Sequence, residues 1–316
     1  MVGKAAIIIV NWNGKRFLKD CLNSVFKQTY KNFDVYFVDN GSTDGGVKYV
    51  GEYFPKVKII RLDKNYGFAK GNNEGIREAF KDKNVKYIVC LNNDTIVDKN
   101  WLKELVKTVE KDRKIGAVQS KILLPNGKLH TAGMRFVKDL QGKKDGGLSL
   151  GYKEDPRKFK EIMEIFAPCG ASVLYKRKVL ERTGLFDEDF HSYVEDFDLG
   201  WRIRKADYIS IYCPTSIVKH FHSQTGGLAS PFKAYQIKRN IYLTAIKNFD
   251  LIDLFFFPFR DIVWNIKNLR WRNTSVKTLK RKVGYFGMLL IILKAYLSVI
   301  LYLPKMFIKR FGYLKE

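Results

Sequence analysis

The residues of this 316-residue chain that could do chemistry gather in three places. The short apolar run Tyr87-Ile88-Val89-Cys90-Leu91 is broken by three polar side chains, Asn92-Asn93-Asp94. A carboxylate beside two carboxamides at a strand end is equipped to hold a metal ion and a phosphate. The same residues also make turns for backbone reasons alone. The second place, GLFDEDFHSYVEDFDLGWRIRKAD, carries seven acidic residues between Gly184 and Asp207, interleaved with aromatics. A carboxylate within reach of a hydroxyl, its pKa tuned by burial and by a neighbouring carboxylate, can act as a general base. The third, VKHFHSQTGG, puts His220 and His222 beside an expected strand end.

Elements that would position these groups follow from the apolar pattern. Ala5–Val10 is a β-branched apolar run ending in Asn11-Trp12-Asn13-Gly14, a buried strand and a turn. Lys15–Gln28 has apolar residues near helical spacing; Asp34–Val38 and Val57–Leu62 read as strands, Gly71–Phe80 as a helix and Tyr87–Leu91 as a fourth strand. This alternation predicts an α/β fold with a mainly parallel sheet flanked by helices. Ligands of such sheets collect beyond the carboxyl ends of the strands, where Asn11, Asn13, Asp39 and Asn92-Asn93-Asp94 all fall. No GxGxxG and no GxxxxGK[ST] occurs, so the usual dinucleotide and P-loop cradles are missing. Ile115–Leu124 reads as a strand, Gln141–Asp155 as a loop, Phe166–Tyr175 as a strand with a bend at Pro168-Cys169-Gly170, and Val194–Ile203 as a helix. The cysteines Cys21, Cys90, Cys169 and Cys213 form no CxxC pair and fit reduced thiols. No secretion signal is evident at the N-terminus, which predicts a cytosolic N-terminal part.

The stretches VDNGSTDG, NYGFAKGNNEG, LNNDT and FDEDFHSYVEDFDLGWR together resemble the family 2 glycosyltransferases with a GT-A fold, especially their rhamnosyltransferase-like branch. The resemblance runs from about Ala5 to Asn248. It implies an inverting enzyme that moves a sugar from a nucleotide-diphosphate donor to an acceptor hydroxyl, with rhamnose from dTDP-rhamnose favoured and a UDP-hexose next. Glu195 and Asp196 match the family's Glu-Asp pair, in which the Asp is the base. Asp39 resembles the carboxylate that bonds the donor base or ribose, and Asn11, Asn13, Gly71, Asn72, Asn92 and Asn93 would line the same pocket. Arg239, in an Arg-Asn segment, would reach the donor phosphate or face solvent. The resemblance further implies a divalent cofactor, Mn or Mg, held by Asp94 with His220, or with His222 as the alternative. Many GT-A enzymes carry Asp-x-Asp where this chain has Asn92-Asn93-Asp94, which removes one negative charge from the metal site.

The expected domains are a catalytic unit over 1–248, with a donor half to about 115 and an acceptor half over 116–248, followed by a basic, apolar segment over 249–316. Residues 250–316 hold 13 Lys and Arg against four Asp and Glu, a net of +9 within a chain of net charge +25. Val283–Leu303 is long enough to cross a bilayer, but Lys294 lies near its middle and both flanks are basic. Apolar stretches laced with Lys and Arg fit helices lying in the interface of an anionic leaflet. The expectation is peripheral, monotopic attachment at the cytoplasmic face of the membrane, with a single spanning helix as runner-up. A lipid-linked saccharide used for envelope polysaccharide is the expected acceptor. Nucleic acid is not an expected partner, because the basic aromatic clusters lie at the C-terminus rather than around the α/β part.

Overall fold

A computed structural model describes residues 3–136, 150–221, 230–269 and 274–312. The first hundred residues alternate as β1 (Lys4–Asn11), α1 (Lys15–Phe26), β2 (Phe33–Asn40), α2 (Gly46–Tyr53), β3 (Lys58–Leu62), α3 (Gly67–Phe80), β4 (Val85–Leu91), β5 (Thr95–Val97) and α4 (Trp101–Val109). There follow β6 (Ile115–Leu123), β7 (Leu129–Thr131), β8 (Met163–Ile165), β9 (Ser172–Lys176), α5 (Arg177–Thr183), α6 (Glu195–Lys205) and β10 (Ile209–His220). Three helices complete the chain: α7 (Pro231–Asn248), α8 (Leu251–Leu269) and α9 (Thr274–Gly312), the last broken at Gly284, whose φ is 69°.

The strands join in the order β3-β2-β1-β4-β9-β6-β10-β5, with β7 on β6 and β8 on β10. Pairing is parallel from β3 to β4, as the alternation predicts. Beyond β4 the sheet is mixed, because β9 enters antiparallel between β4 and β6. The periodic pattern marks which residues are buried but not which strand they lie beside. Strands buried on both faces read as continuous apolar runs. In β1, Ile7 and Ile9 pack with Leu18, Leu22 and Trp101 on one side, while Ala6 and Ile8 pack with Ala69, Ile76 and Leu180 on the other.

Helix α3 begins four residues before the expected Gly71, so Gly71 and Asn72 lie inside it rather than in its first turn. Gly71 is where α3 closes on the sheet: a Cβ there would sit 2.8 Å from Val10 Cγ1. Most of the expected loop at Gln141–Asp155 lies outside the described residues; its end, at 150–155, is turn and irregular backbone.

Helix α9 packs along α7. Val299 and Met306 are buried with Leu243 and Ile246 of α7 and with Phe190. On the opposite arc, Phe286, Leu293, Leu297, Leu301 and Ile308 are exposed, and α8 carries a second exposed stripe through Ile252, Phe255, Phe259 and Ile262.

Candidate active site

The polar strand ends of β1, β2 and β4 are tied to one another. Asn93 Nδ2 donates to Asn11 Oδ1 (2.6 Å), and Asn11 Nδ2 donates to Ser42 Oγ (3.1 Å). Ser42 Oγ also accepts from the Asn13 N–H, while Asn13 Oδ1 accepts from the Thr43 N–H. Asn11, Asn13 and Asn93 thus fix the edge. Asp39 lies at the same edge and is buried. Its Oδ2 accepts from the Ser42 N–H (3.2 Å), but its Oδ1 is buried with no hydrogen-bond partner among the described residues. A buried orphan acceptor is costly, so it marks a place where a ligand's N–H or O–H would be accepted. Asn72 donates to the Phe68 carbonyl within its own helix, so its carboxamide nitrogen serves α3.

Asp94 and His220 come together as their pairing requires, with Asp94 Oδ1 3.0 Å from His220 Nε2. Asn92 Nδ2 lies 3.2 Å from the same nitrogen. His130, in β7, stands behind His220, with the two Nδ1 atoms 3.2 Å apart. Nothing in the sequence points to His130, a single His in KLHTAG. His222 lies outside the described residues. Among the described residues no group of three or more His, Cys, Asp or Glu is arranged to hold a metal ion. The pair does fit an ion completed by ligand oxygens, since imidazole and carboxylate suit Mn and phosphate oxygens suit both Mn and Mg.

The second carboxylate centre opens α6. Asp196 Oδ2 accepts from the Gly170 N–H and Oδ1 from the Phe197 N–H, both at 2.8 Å. Gly170 precedes Ala171, whose carbonyl accepts from the Asn92 N–H (3.0 Å), so one backbone bend touches both Asp196 and the β4 end. Burial raises the Asp196 pKa above the usual carboxylate value, more than the backbone donors lower it. Glu195 is raised well above its usual value, first by burial and then by the Asp196 charge, and its Oε2 has no partner among the described residues. The backbone leading into the pair is strained: His191, Tyr193 and Val194 have φ of 61°, 71° and 73°. Each such residue costs about 1–3 kcal/mol, and a β-branched residue there is an outlier.

Several neighbours hold this turn. Ser192 Oγ accepts from the Phe68 N–H and the His191 carbonyl from the Ala69 N–H, both at 3.0 Å. Gly67 makes that approach possible, since a Cβ on it would lie 2.3 Å from the His191 oxygen. Asn240 Nδ2 lies 2.7–2.9 Å from the Phe190, Ser192 and Tyr193 carbonyls. Arg239 is buried. Its guanidinium donates to Asn240 Oδ1 (2.8 Å) and to Ser298 Oγ of α9 (3.0 Å) and lies over the Tyr302 ring, so it faces α9 and not open solvent. Below the turn, buried Lys247 bonds Asp187 (2.6 Å) and Asp198 (2.8 Å), and Arg202 bonds Asp198 (3.0 Å). Burial alone would raise both carboxyls, but Lys247, joined by Lys309 at Asp187 and by Arg202 at Asp198, holds them low.

Residues 6–184, more than half of the chain, match the family model described as Glycosyl transferase family 2. An N-acetylglucosaminyl-diphospho-decaprenol L-rhamnosyltransferase of Mycobacterium tuberculosis is 24% identical over 254 residues, covering 75% of this chain and 83% of that protein. Among solved structures, GalNAc-T7 with UDP, GalNAc and Mn2+ matches with a TM-score of 0.65 at 17% identity, over 89% of this chain and 54% of that one. The mannosyltransferase PcManGT of Pyrobaculum calidifontis with GDP-Man and Mn2+ gives 0.56 at 16%, over 95% and 88%. At those identities the structural likeness speaks for the fold alone, and the fold agrees with the sheet described above. The chain therefore belongs to glycosyl transferase family 2 and is a glycosyltransferase of the GT-A fold, rhamnosyltransferase-like in sequence.

Proposed function

We propose that this enzyme is an inverting transferase that moves a sugar from a nucleotide diphosphate to a hydroxyl of a lipid-linked saccharide, with Asp196 as base. Rhamnose from dTDP-rhamnose is the first candidate donor and a UDP-hexose the next, in the synthesis of cell-envelope polysaccharide. The observation that carries the reading is the partly buried Asp196 carboxylate, raised in pKa and joined through the Gly170-Ala171 bend to the Asn92 backbone. Asp196 takes the acceptor proton as that oxygen bonds the anomeric carbon. The bond from that carbon to the diphosphate breaks on the opposite face, and the nucleotide diphosphate leaves with the electron pair. Glu195, whose pKa is raised well above its usual value by burial and by the Asp196 charge, orients the acceptor. Asp39 Oδ1 accepts from the donor's base or ribose. Asp94 and His220 would hold a divalent ion, which supplies Lewis-acid stabilisation of the departing diphosphate. The mycobacterial relative's name, with its diphospho-decaprenol acceptor, supports a lipid carrier. In this division 1–248 is the catalytic unit and 249–316 the attachment region.

The test is calorimetric binding of dTDP-, UDP- and GDP-sugars with and without Mn2+ or Mg2+, followed by turnover of Asp196→Asn. That variant should bind donor as the wild type does and lose about 10²–10⁴-fold in kcat. The wild-type acid limb should lie above the ordinary Asp range, because a base with a raised pKa is lost to protonation sooner as pH falls. Unchanged turnover in Asp196→Asn would remove it as base.

The enzyme's proposed place is peripheral, at the cytoplasmic face of the membrane; the exposed stripes of α8 and α9 support the contact with lipid. Helix α9 is, among the described residues, a helix long and apolar enough to cross a bilayer. The peripheral reading is preferred because Ala295 and Val299 are buried against the protein and Ser298 bonds Arg239. Flotation with phosphatidylglycerol vesicles should carry the wild type and lose Leu293→Glu/Leu297→Glu/Leu301→Glu. Equal flotation of both would exclude attachment by this face.

A further inference from the structure

The turn 190–194 combines strain with an unusual brace. Three residues with positive φ, none of them glycine, lead directly into Glu195 and Asp196, and the last is a valine with no side-chain cap on the helix it opens. Such a turn persists only where its surroundings over-determine it. Its carbonyls at Phe190, Ser192 and Tyr193 converge on one atom, Asn240 Nδ2, at 2.8, 2.9 and 2.7 Å. The orientation of that carboxamide is not arbitrary. Arg239 Nη1 donates to Asn240 Oδ1, which leaves the NH2 group facing the carbonyls. Arg239 is itself fixed by Ser298 and Tyr302 of α9.

We infer that Asn240 is a positioning residue for transfer: its carboxamide holds the 190–194 turn in the left-handed form that aims the Asp196 carboxylate at the acceptor hydroxyl. Removing the donor leaves three carbonyls without it and lets the backbone at Val194 relax toward ordinary φ. Helix α6 begins at the next residue, so the relaxation moves the first-turn carboxylates and leaves the Asn11, Asp39 and Asn93 edge untouched. The inference rests on Asp196 being the base, but the brace itself can be tested separately.

The experiment pairs Asn240→Ala with Val194→Gly. Glycine adopts φ near +70° without the Cβ penalty, so it reduces the strain that Asn240 opposes. Asn240→Ala alone should lower kcat by about 100-fold, the effect of a misplaced reacting group, with calorimetric donor affinity near wild type when assayed below its lowered melting temperature. In the Val194→Gly background the same substitution should lower kcat by about tenfold or less. Asn240→Asp keeps the volume and the acceptor for Arg239 but turns a carboxylate oxygen on the three carbonyls, and should lose at least as much kcat as Asn240→Ala; Asn240→Leu, of similar volume and without charge, replaces alanine if that variant does not fold. Equal losses in both backgrounds, donor affinity falling in step with kcat, or wild-type turnover in Asn240→Asp would each overturn the inference. If Asp196→Asn remains active while the 240–194 coupling is present, the base assignment fails and the brace stands.

Discussion

At the proposed donor edge, Asn11, Asn13, Asn93 and Ser42 lace three strand ends together with neutral side-chain hydrogen bonds, and among these residues only Asn13 departs from ordinary backbone, at φ 50°. Around Asp196 the means are different: three left-handed residues in one turn, a single carboxamide NH2 shared among three carbonyls, and a buried Lys247 between Asp187 and Asp198. The first region grows directly out of the sheet and inherits its rigidity. The second is a loop between elements and must be held by side chains from α7 and α9. The proposed donor pocket is thus a product of the fold, whereas the proposed catalytic carboxylate depends on a scaffold distant in sequence.

The largest effect is expected at Lys247. Lys247→Ala leaves Asp187 and Asp198 buried with one cation fewer, and breaking a buried pair costs about 3–5 kcal/mol, read by urea unfolding. Asp187 also fixes the sign of the pH effect. Its folded pKa lies below the unfolded value, so its stabilisation is present above the unfolded pKa and is lost as pH falls through the folded one. The variant should therefore unfold less steeply with acid; wild-type stability in Lys247→Ala would make the two regions equivalent. A finer test is at the donor edge. An imidazole that gives Nε2 to a metal carries its proton on Nδ1, and His130 Nδ1 stands 3.2 Å away to accept it. His130→Ala should weaken Mn2+ binding, measured by calorimetry, by about 10–100-fold, with metal-free nucleotide binding unchanged. Unaltered Mn2+ affinity would leave His130 a packing residue.

Much of the donor edge could be read in the sequence, because an apolar run ending in Asn or Asp specifies both a strand and its polar end. The helix carrying Glu195 and Asp196 was readable for the same local reason. The antiparallel insertion of β9 was not, since burial of Val173 and Leu174 is the same beside any strand. The start of α3 at Gly67 was hidden by a glycine- and asparagine-rich stretch that scores as loop, and it is set by contacts to His191 and Ser192 far along the chain. Arg239 shows the limit most clearly: its type suits a phosphate, yet its partners are Asn240, Ser298 and Tyr302. His130 carried no signal, because its meaning lies in a neighbour 90 residues away.

Helix α9 is fastened to α7 by Val299 and Met306 and to the acidic turn by Lys305 on Asp189, while its opposite arc is apolar. Those contacts set the height of Asp196 above that arc. On the lipid surface proposed for it, such an enzyme would work like a plane set to one depth of cut. It would meet hydroxyls at a single elevation, and each sugar it added would lift the next hydroxyl out of range. The length of the product would then be set by how the protein sits, without any device for counting.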